Sequence, residues 1–266
     1  MTEPHGGSNP AAARTCATSI AGGRWLVTGH KTWISRLSEA ALFVLFFRAP
    51  DGYLAAAVVD AAEPGLHRHT FPPAGLAGWS WGTLDLRAVP IQPGNVLRGD
   101  GMALLREHFA HYRPLVTATA LGGAAAVFDT VVTALADRRD TGDITRVRDS
   151  ALITIGRGHA QIVTALLAAA SAADLAASGY QHAERWSAET KAHGIDAANL
   201  ALKDLSLLLG AAGFRADSQV AKTRRDLGGL MYADGIHDSL YLAAGKQHMT
   251  GETIRGAAAN RLPESA

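Results

Sequence analysis

The chain contains 266 residues, of which 48% are hydrophobic and 18% are charged. This balance is typical of a soluble globular protein and argues against extended disorder. The formal net charge of +1 provides no overall attraction to nucleic acid or to an anionic membrane. Cys16 is the single cysteine, so no internal disulfide can form and a reducing compartment is expected.

The sequence carries no pattern typical of secretion or membrane insertion. The N-terminus has neither a basic start nor an apolar stretch, so we expect no secretory signal. The longest uninterrupted apolar run covers residues 40–47 and is too short to span a bilayer. We therefore expect a cytoplasmic protein without a membrane partner.

The first part of the chain, residues 1–98, is predicted to form an antiparallel β-sheet domain with a barrel-like shape. Turn-forming Gly, Pro and Asp residues, such as those at Gly22 and Gly23, separate short β-prone runs. These runs cover residues 24–29, 42–48, 53–59 and 84–89.

From Gly101 onward the spacing of apolar residues becomes helical, as Phe109, Tyr112 and Val116 illustrate. Gly142 is in a position typical of a helix end. The predicted helices cover residues 101–137, 147–177, 188–209 and 236–251. Short connections favour an antiparallel four-helix bundle over residues 99–257, followed by a flexible tail at 258–266. The predicted fold class is therefore α+β, a sheet domain followed by a bundle.

Two segments near the N-terminus carry a recognisable pattern. Residues 2–9 read Thr-Glu-Pro-His-Gly-Gly-Ser-Asn, and residues 29–35 read Gly-His-Lys-Thr-Trp-Ile-Ser. They resemble the flavin-contacting motifs T-E-P-x-x-G-S-D and N-G-x-K-x-W-I-(T/S) of the acyl-CoA dehydrogenase family. In that family a helical domain precedes the first motif, so the chain is expected to lack that domain.

The resemblance implies an FAD site built on these two motifs. A flavin ring needs a flat apolar surface and hydrogen-bonding groups along its polar edge. Trp33 offers the surface, and Thr2 and Ser35 offer hydroxyl groups. The family motifs further imply that Ser35 lies beside flavin N5 and that Ser8 contacts the cofactor pyrophosphate. The alternative interpretation of Trp33 is ordinary alternation between core and surface along a strand.

Residues 109–116 resemble the F-D-x-x-R-P-x-V segment that opens the first bundle helix in fatty-acyl members of the family. The resemblance implies that Arg113 helps to bind the CoA moiety of a substrate. Ala110 replaces the Asp of the motif, which leaves room for an acyl group bound to a carrier protein instead. The alternative is that Arg113 is a surface arginine near a helix N-terminus.

Two further segments match cofactor-binding motifs of the family in part. Arg138 keeps the charge that reaches the FAD pyrophosphate of a neighbouring subunit, although Thr141 replaces an aromatic residue. Gly210 and Gly213 keep two glycines of the Q-x-x-G-G-x-G-(Y/F) segment that cradles FAD across the dimer. The alternatives are a basic residue at a helix C-terminus and a glycine helix cap.

The family motif R-D, six residues, then Y-E-G-T aligns its catalytic Glu with Asp234, counted from Arg225–Asp226. The resemblance implies that Asp234 removes the α-proton of an acyl thioester. Aspartate is shorter than glutamate by one methylene, or about 1.5 Å of reach. The alternative is that Asp234 caps the N-terminus of the last helix.

The resulting prediction is an FAD-dependent α,β-dehydrogenation of a CoA- or carrier-bound acyl thioester by a dimer or tetramer. A hetero-oligomer with an acyl-CoA dehydrogenase-like subunit is also consistent with the motifs. The alternative function is a non-catalytic or half-site subunit that pairs with a full-length partner of this family.

The pairs His67/His69 and His108/His111 lack adjacent further ligands, so no metal site is expected. No motif for nucleic acid is present.

Overall fold

The computed structural model describes residues 2–7 and 10–249. The chain divides into two compact units, Met1–His108 and Phe109–Ala266. The first unit contains a β-sheet, and the second consists of α-helices. The predicted α+β class, with a sheet followed by helices, is therefore confirmed. Ser8 and the predicted tail at 258–266 lie outside the described residues.

A six-stranded sheet fills the first unit. Its spatial order is β4-β3-β1-β2-β6-β5, and neighbouring strands are antiparallel except for the parallel pair β1–β3. In the part of the chain that the structure describes, the edge strands β4 and β5 do not pair, so the sheet is open and mixed rather than barrel-like and fully antiparallel as predicted. The strands are β1 (Cys16–Ser19), β2 (Trp25–Ser35), β3 (Leu42–Arg48), β4 (Leu54–Asp60), β5 (Leu66–Phe71) and β6 (Trp81–Ile91).

Alternating burial along the strands produces the core of this unit. In β3, Phe43, Leu45 and Phe47 are buried, whereas the intervening side chains are at least partly exposed. Because side chains alternate across a strand, one face of β3 lies in the core. Val27 of β2 and Leu84 of β6 are fully buried in the same cluster.

Up to residue 249, where the described part of the chain ends, the second unit contains five helices, and α1 begins at the end of the first unit. Helix α4 was not predicted, and the side-chain oxygen of Ser218 caps it by accepting a hydrogen bond from the Ala221 amide at 3.1 Å. The prediction places the end of the last helix at residue 251, which lies outside the described residues. The helices are α1 (Gly101–Asp140), α2 (Asp149–Ala177), α3 (Ala183–Leu207), α4 (Gln219–Leu230) and α5 (His237–His248).

Helix α1 continues through Pro114 without a break. Proline has no amide hydrogen, so the carbonyl four residues earlier, that of Ala110, loses its helical donor. The buried hydroxyl of Ser187 on α3 donates to this carbonyl at 2.6 Å. A side chain from the neighbouring helix therefore replaces the missing backbone hydrogen bond.

Small residues let the helices approach one another closely. A Cβ at Gly194 of α3 would lie 2.4 Å from Cγ2 of Thr117 on α1. A Cβ at Gly158 of α2 would lie 3.1 Å from Leu205 of α3. By length and apolar composition alone, α1 and α2 could each cross a membrane. Both contribute buried residues to one helical core, and core helices of globular domains share this composition.

Candidate functional site

Trp33 occupies an unusual place in β2. Its φ is 58°, and it lies where the register between β2 and β6 shifts between Lys31 and Ile34. A left-handed backbone is strained for a bulky residue, and register irregularities of this kind re-aim side chains. The indole is 66% exposed and packs edge-on against Phe71, with ring centroids 5.1 Å apart. The sheet therefore presents a flat aromatic surface.

The segment around Glu3 is anchored by a buried ion pair. Lys31 Nζ lies 2.6 Å from Glu3 Oε1, and the amides of Arg14 and Thr15 donate to the same carboxylate at 2.7 and 3.1 Å. Burial by itself raises the pKa of Glu3, but these hydrogen bonds lower it to about 2. Burial also lowers the pKa of Lys31, and Glu3 opposes that change. The carboxylate is thus held charged inside the unit.

The other predicted residues of the first unit lie near this anchor or near Trp33. The carbonyl of Thr2 accepts a hydrogen bond from the Thr32 amide at 2.9 Å, which joins the N-terminal segment to β2. A Cβ at Gly7 would lie 2.8 Å from the side chain of Thr2. Ser35 is exposed at the end of β2. Ser8 lies outside the described residues, so its predicted role stays a prediction.

In the second unit, Asp234 lies in the turn between α4 and α5. Its φ is 55° and that of Gly235 is 112°, so two consecutive residues are left-handed. A Cβ at Gly235 would lie 2.7 Å from Leu240, which requires glycine there. Helix α5 begins at His237 with Ile236 as its cap residue and has no side-chain cap. The alternative interpretation of Asp234 as a helix cap is therefore wrong.

Arg113 lies beside this turn and is only 6% exposed. Its Nε donates to the carbonyl of Asp234 at 3.0 Å, and its Nη1 lies 2.9 Å from Glu184 Oε1. The guanidinium also stacks on Phe109, 4.4 Å from the ring centroid. The alternative interpretation of Arg113 as a surface arginine is wrong, because two of its nitrogens have interior partners. Its predicted contact with CoA stays a prediction.

Lys191 of α3 is a residue of this region that the sequence motifs did not single out. It is fully buried, and its Nζ donates to the carbonyl of Gly235 at 2.7 Å. Burial is the main reason that the pKa of Lys191 falls to about 8. The negative charge of Asp234 opposes this shift, the positive charge of Arg113 adds to it, and the negative charge of Asp196 opposes it. A buried lysine hydrogen-bonded to a residue 44 positions away leaves no local sequence signal.

His237 and Tyr241 of α5 both contact Asp196 of α3. His237 Nδ1 lies 2.7 Å from one carboxylate oxygen, and the Tyr241 hydroxyl donates to the other at 3.1 Å. Burial and the charge of Lys191 lower the pKa of His237, whereas Asp196 raises it. Among the described residues, His237 Nε2 is buried without a hydrogen-bond partner. This network joins α3 and α5 next to the turn at Asp234.

The remaining predicted residues lie at helix ends. Arg138 is exposed in the last turn of α1. Gly210 is exposed after α3 with a φ of 59°, and a Cβ at Gly213 would lie 2.7 Å from the carbonyl oxygen of Ser206. The chain's own backbone therefore explains both glycines. Within the residues that the structure describes, no three His, Cys, Asp or Glu side chains are arranged to hold a metal ion.

The chain thus combines an open sheet that carries an exposed, strained tryptophan with helices around a buried arginine and lysine. Residues 1–89 match the acyl-CoA dehydrogenase middle domain, and residues 99–247 match the acyl-CoA dehydrogenase C-terminal domain. The second match alone covers more than half of the 266 residues. The chain belongs to the acyl-CoA dehydrogenase family.

Two relatives that are named for their activities are similar to this chain. Benzylmalonyl-CoA dehydrogenase of Aromatoleum aromaticum is 26% identical over 262 residues, which is 93% of this chain and 66% of the relative. Glutaryl-CoA dehydrogenase of Desulfococcus multivorans is 29% identical over 149 residues, 53% of this chain and 38% of the relative. The chain thus spans less than two thirds of the length of either relative.

A solved structure with the same fold is a glutaryl-CoA dehydrogenase from Mycobacterium smegmatis in complex with FADH2. Its TM-score is 0.84 at 20% identity, over 96% of this chain and 66% of that chain. At this identity the likeness shows the fold alone.

Proposed function

We propose that the chain takes part in FAD-dependent α,β-dehydrogenation of an acyl thioester, with Asp234 as the base. The observation that carries the proposal is the turn at Asp234, a strained left-handed segment whose two carbonyls bind buried cations. Surroundings that over-determine such a conformation are typical of functional sites. Relatives named for glutaryl-CoA and benzylmalonyl-CoA support a CoA thioester as substrate, and a carrier-bound acyl group is the other candidate.

The residues of the first unit fit one face of a flavin. Trp33 provides an exposed flat ring, and Ser35 an exposed hydroxyl two residues later. The Glu3–Lys31 pair and the Thr2–Thr32 hydrogen bond keep the N-terminal motif against the same strand. When bound, FAD would supply the acceptor for the hydride that leaves the β-carbon of the substrate. The named FADH2 complex of a protein with this fold supports that cofactor.

The chemistry assigned to Asp234 is proton abstraction. Its ionised carboxylate takes the α-proton of the thioester, which becomes the proton of a neutral carboxyl group. The electron pair of the broken C–H bond forms the α,β double bond as the β-hydrogen departs as hydride. Because aspartate reaches about 1.5 Å less far than glutamate, the α-carbon must lie correspondingly closer to the turn.

An apolar face of α2 supports an oligomer. Five large apolar side chains on this helix are exposed, whereas other residues of the helix lie in the helical core. Exposed apolar patches of this kind are typical of protein interfaces. We propose that a second copy, or an acyl-CoA dehydrogenase-like partner, covers them in the cytoplasm. The side chains are Leu152, Ile153, Val163, Leu166 and Leu167.

The test is reconstitution of the purified chain with FAD, followed by anaerobic titration with glutaryl-CoA and butyryl-CoA. We expect flavin absorbance that bleaches on adding a thioester, with the bleaching lost in Asp234→Asn. The matched control is Asp238→Asn, an exposed carboxylate in the first turn of α5 that should leave bleaching unchanged. Bleaching that persists in Asp234→Asn would contradict the role of the base. A chain that binds flavin only after mixing with a full-length family member would favour the half-site alternative.

A further inference from the structure

Lys191 is a buried cation that has no role in the proposed reaction as described above. Its side chain is fully buried in α3, and its ammonium donates to the carbonyl of Gly235. Burying a lysine is unfavourable unless its charge is compensated, and an apolar residue of similar size would avoid that penalty. We therefore expect that Lys191 makes a specific contribution within the helical unit that an apolar residue could not make.

The turn that Lys191 contacts is held from two sides. Arg113 of α1 donates to the carbonyl of Asp234, and Lys191 of α3 donates to the carbonyl of Gly235. Both residues of the turn have left-handed backbones, with φ values of 55° and 112°. Glycine adopts such a backbone without strain, but at Asp234 it is strained and persists only where surrounding contacts fix it. The two buried donors provide such contacts on adjacent peptide units.

We propose that Lys191 is a positioning residue, whose ammonium fixes the Asp234–Gly235 turn and keeps the Asp234 carboxylate in the field of a buried cation. The inference rests on the proposed function, because it gives Asp234 the task of proton abstraction. A carboxylate on a turn fixed at its backbone keeps a constant distance to the reacting carbon, on which abstraction depends steeply.

The charged groups around Lys191 make the proposal measurable. Burial is the main cause that lowers the pKa of Lys191. The charge of Asp234 opposes it, Arg113 adds to it and Asp196 opposes it. Besides burial, the charge of Lys191 lowers the pKa of His237 of α5. The pKa of Lys191 is about 8. Lys191 therefore changes its charge within the pH range in which the protein can be assayed, and neutralising Asp234 should lower its pKa further.

The first experiment follows Lys191 by NMR in the full chain labelled with ¹⁵N-lysine, over a range of pH. Lys191→Gln identifies the signal, and Asp234→Asn is expected to shift the titration of Lys191 to lower pH. The matched control is Asp204→Asn, a carboxylate elsewhere on α3, which should leave the titration in place. An unchanged titration of Lys191 in Asp234→Asn would overturn the proposal.

The second experiment compares Lys191→Met, Lys191→Gln and the control Lys203→Met, an exposed lysine of the same helix, after FAD reconstitution. Misplacement of a reacting group by about 1 Å costs roughly a hundredfold in rate. We expect flavin reduction by glutaryl-CoA to slow about tenfold to a hundredfold in Lys191→Met, with the dissociation constant of the thioester little changed. Lys191→Gln, which keeps an N–H donor, should recover part of the rate.

The two failures are distinguishable. If Asp234→Asn abolishes bleaching but Lys191→Met reduces flavin at the wild-type rate, the positioning role is overturned and the proposed function stands. If Asp234→Asn leaves bleaching intact while the NMR titration of Lys191 shifts, the proposed function fails and the coupling of the two charges is confirmed. The NMR measurement needs no flavin and no folded Lys191→Met, so it remains decisive where that variant does not fold.

Discussion

Replacing Lys31 by methionine tests the buried pair that anchors the N-terminal motif. The side chains of Lys31 and Glu3 are only 1% and 4% exposed, and their charged atoms are 2.6 Å apart. Methionine fills much of the space of the lysine but leaves the Glu3 carboxylate with the amides of Arg14 and Thr15 alone. Removing one partner of a buried pair destabilises a protein by about 3–5 kcal/mol.

The lowered pKa of Glu3 corresponds to a stabilisation free energy of similar size. A carboxyl whose pKa falls from 4.5 to about 2 is stabilised in its charged form by about 3 kcal/mol. Because the pKa is depressed in the folded state, this contribution is fully present above pH 4.5 and is lost as the pH falls through about 2. The amides of Arg14 and Thr15 contribute part of this shift and remain in Lys31→Met. The expected loss at neutral pH therefore rests on the broken pair and is about 3 kcal/mol.

The assay is chemical denaturation of the intact chain, followed by tryptophan fluorescence. Trp25 and Trp33, which flank Lys31 in β2, should report the unfolding of the sheet. The matched control is Lys222→Met, whose exposed ion pair with Asp226 on α4 is worth at most about 1 kcal/mol. A loss below about 1 kcal/mol for Lys31→Met would refute the reasoning, because it would mean that the pair does not stabilise the folded state.

Three further predictions concern close contacts and Lys191. Gly82→Ala places a Cβ 2.0 Å from the carbonyl oxygen of His69 and should separate β5 from β6, at a loss of about 2 kcal/mol or more by urea denaturation. Gly194→Ala meets Cγ2 of Thr117 at 2.4 Å, so it should destabilise by about 1–3 kcal/mol, and adding Thr117→Ser should recover much of this. The pKa of Lys191 is depressed from 10.5 to about 8, so the unfolded chain holds a proton that the folded chain has released between these values. The free energy of unfolding of the wild type, relative to Lys191→Met, should therefore rise by about 3 kcal/mol from pH 8 to above 10.

The two glycine predictions have matched controls. Gly78→Ala and Gly156→Ala place a Cβ in open space, so neither should lose stability, and Gly156→Ala in α2 should gain about 1 kcal/mol. An equal loss in Gly82→Ala and Gly78→Ala would show that the distance to His69 is not the cause. A Thr117→Ser substitution that recovers nothing would refute the contact with Gly194.

The sequence predicts elements well where a local pattern exists. Residues 42–48 are predicted to be a strand because they are a short apolar run that ends just before the turn at residues 50–52, and they form β3. Helix α4 was missed because its sequence is mostly polar and charged. Its buried residues, Val220, Thr223 and Leu227, do follow a helical spacing, but one of the three is a threonine. A stripe this narrow does not stand out against the charges around it.

The candidate site shows where motif reasoning stops. The motifs identify Asp234 and Arg113 as residues, but the hydrogen bond that joins them spans 121 positions. No pattern in the sequence distinguishes a guanidinium that binds a backbone carbonyl from one that binds a ligand, because both need the same donors. Lys191 illustrates the same limit, since its environment arises only when α3 and the turn before α5 meet.

That Arg113 and Lys191 bind backbone carbonyls rather than the carboxylate itself has a chemical consequence. A direct ion pair between either cation and Asp234 would favour the charged carboxylate and weaken it as a base. Carbonyl oxygens accept these hydrogen bonds without gaining a proton, so the two cations fix the backbone of the turn and leave its carbonyls neutral. The two cations therefore position the turn through its carbonyls.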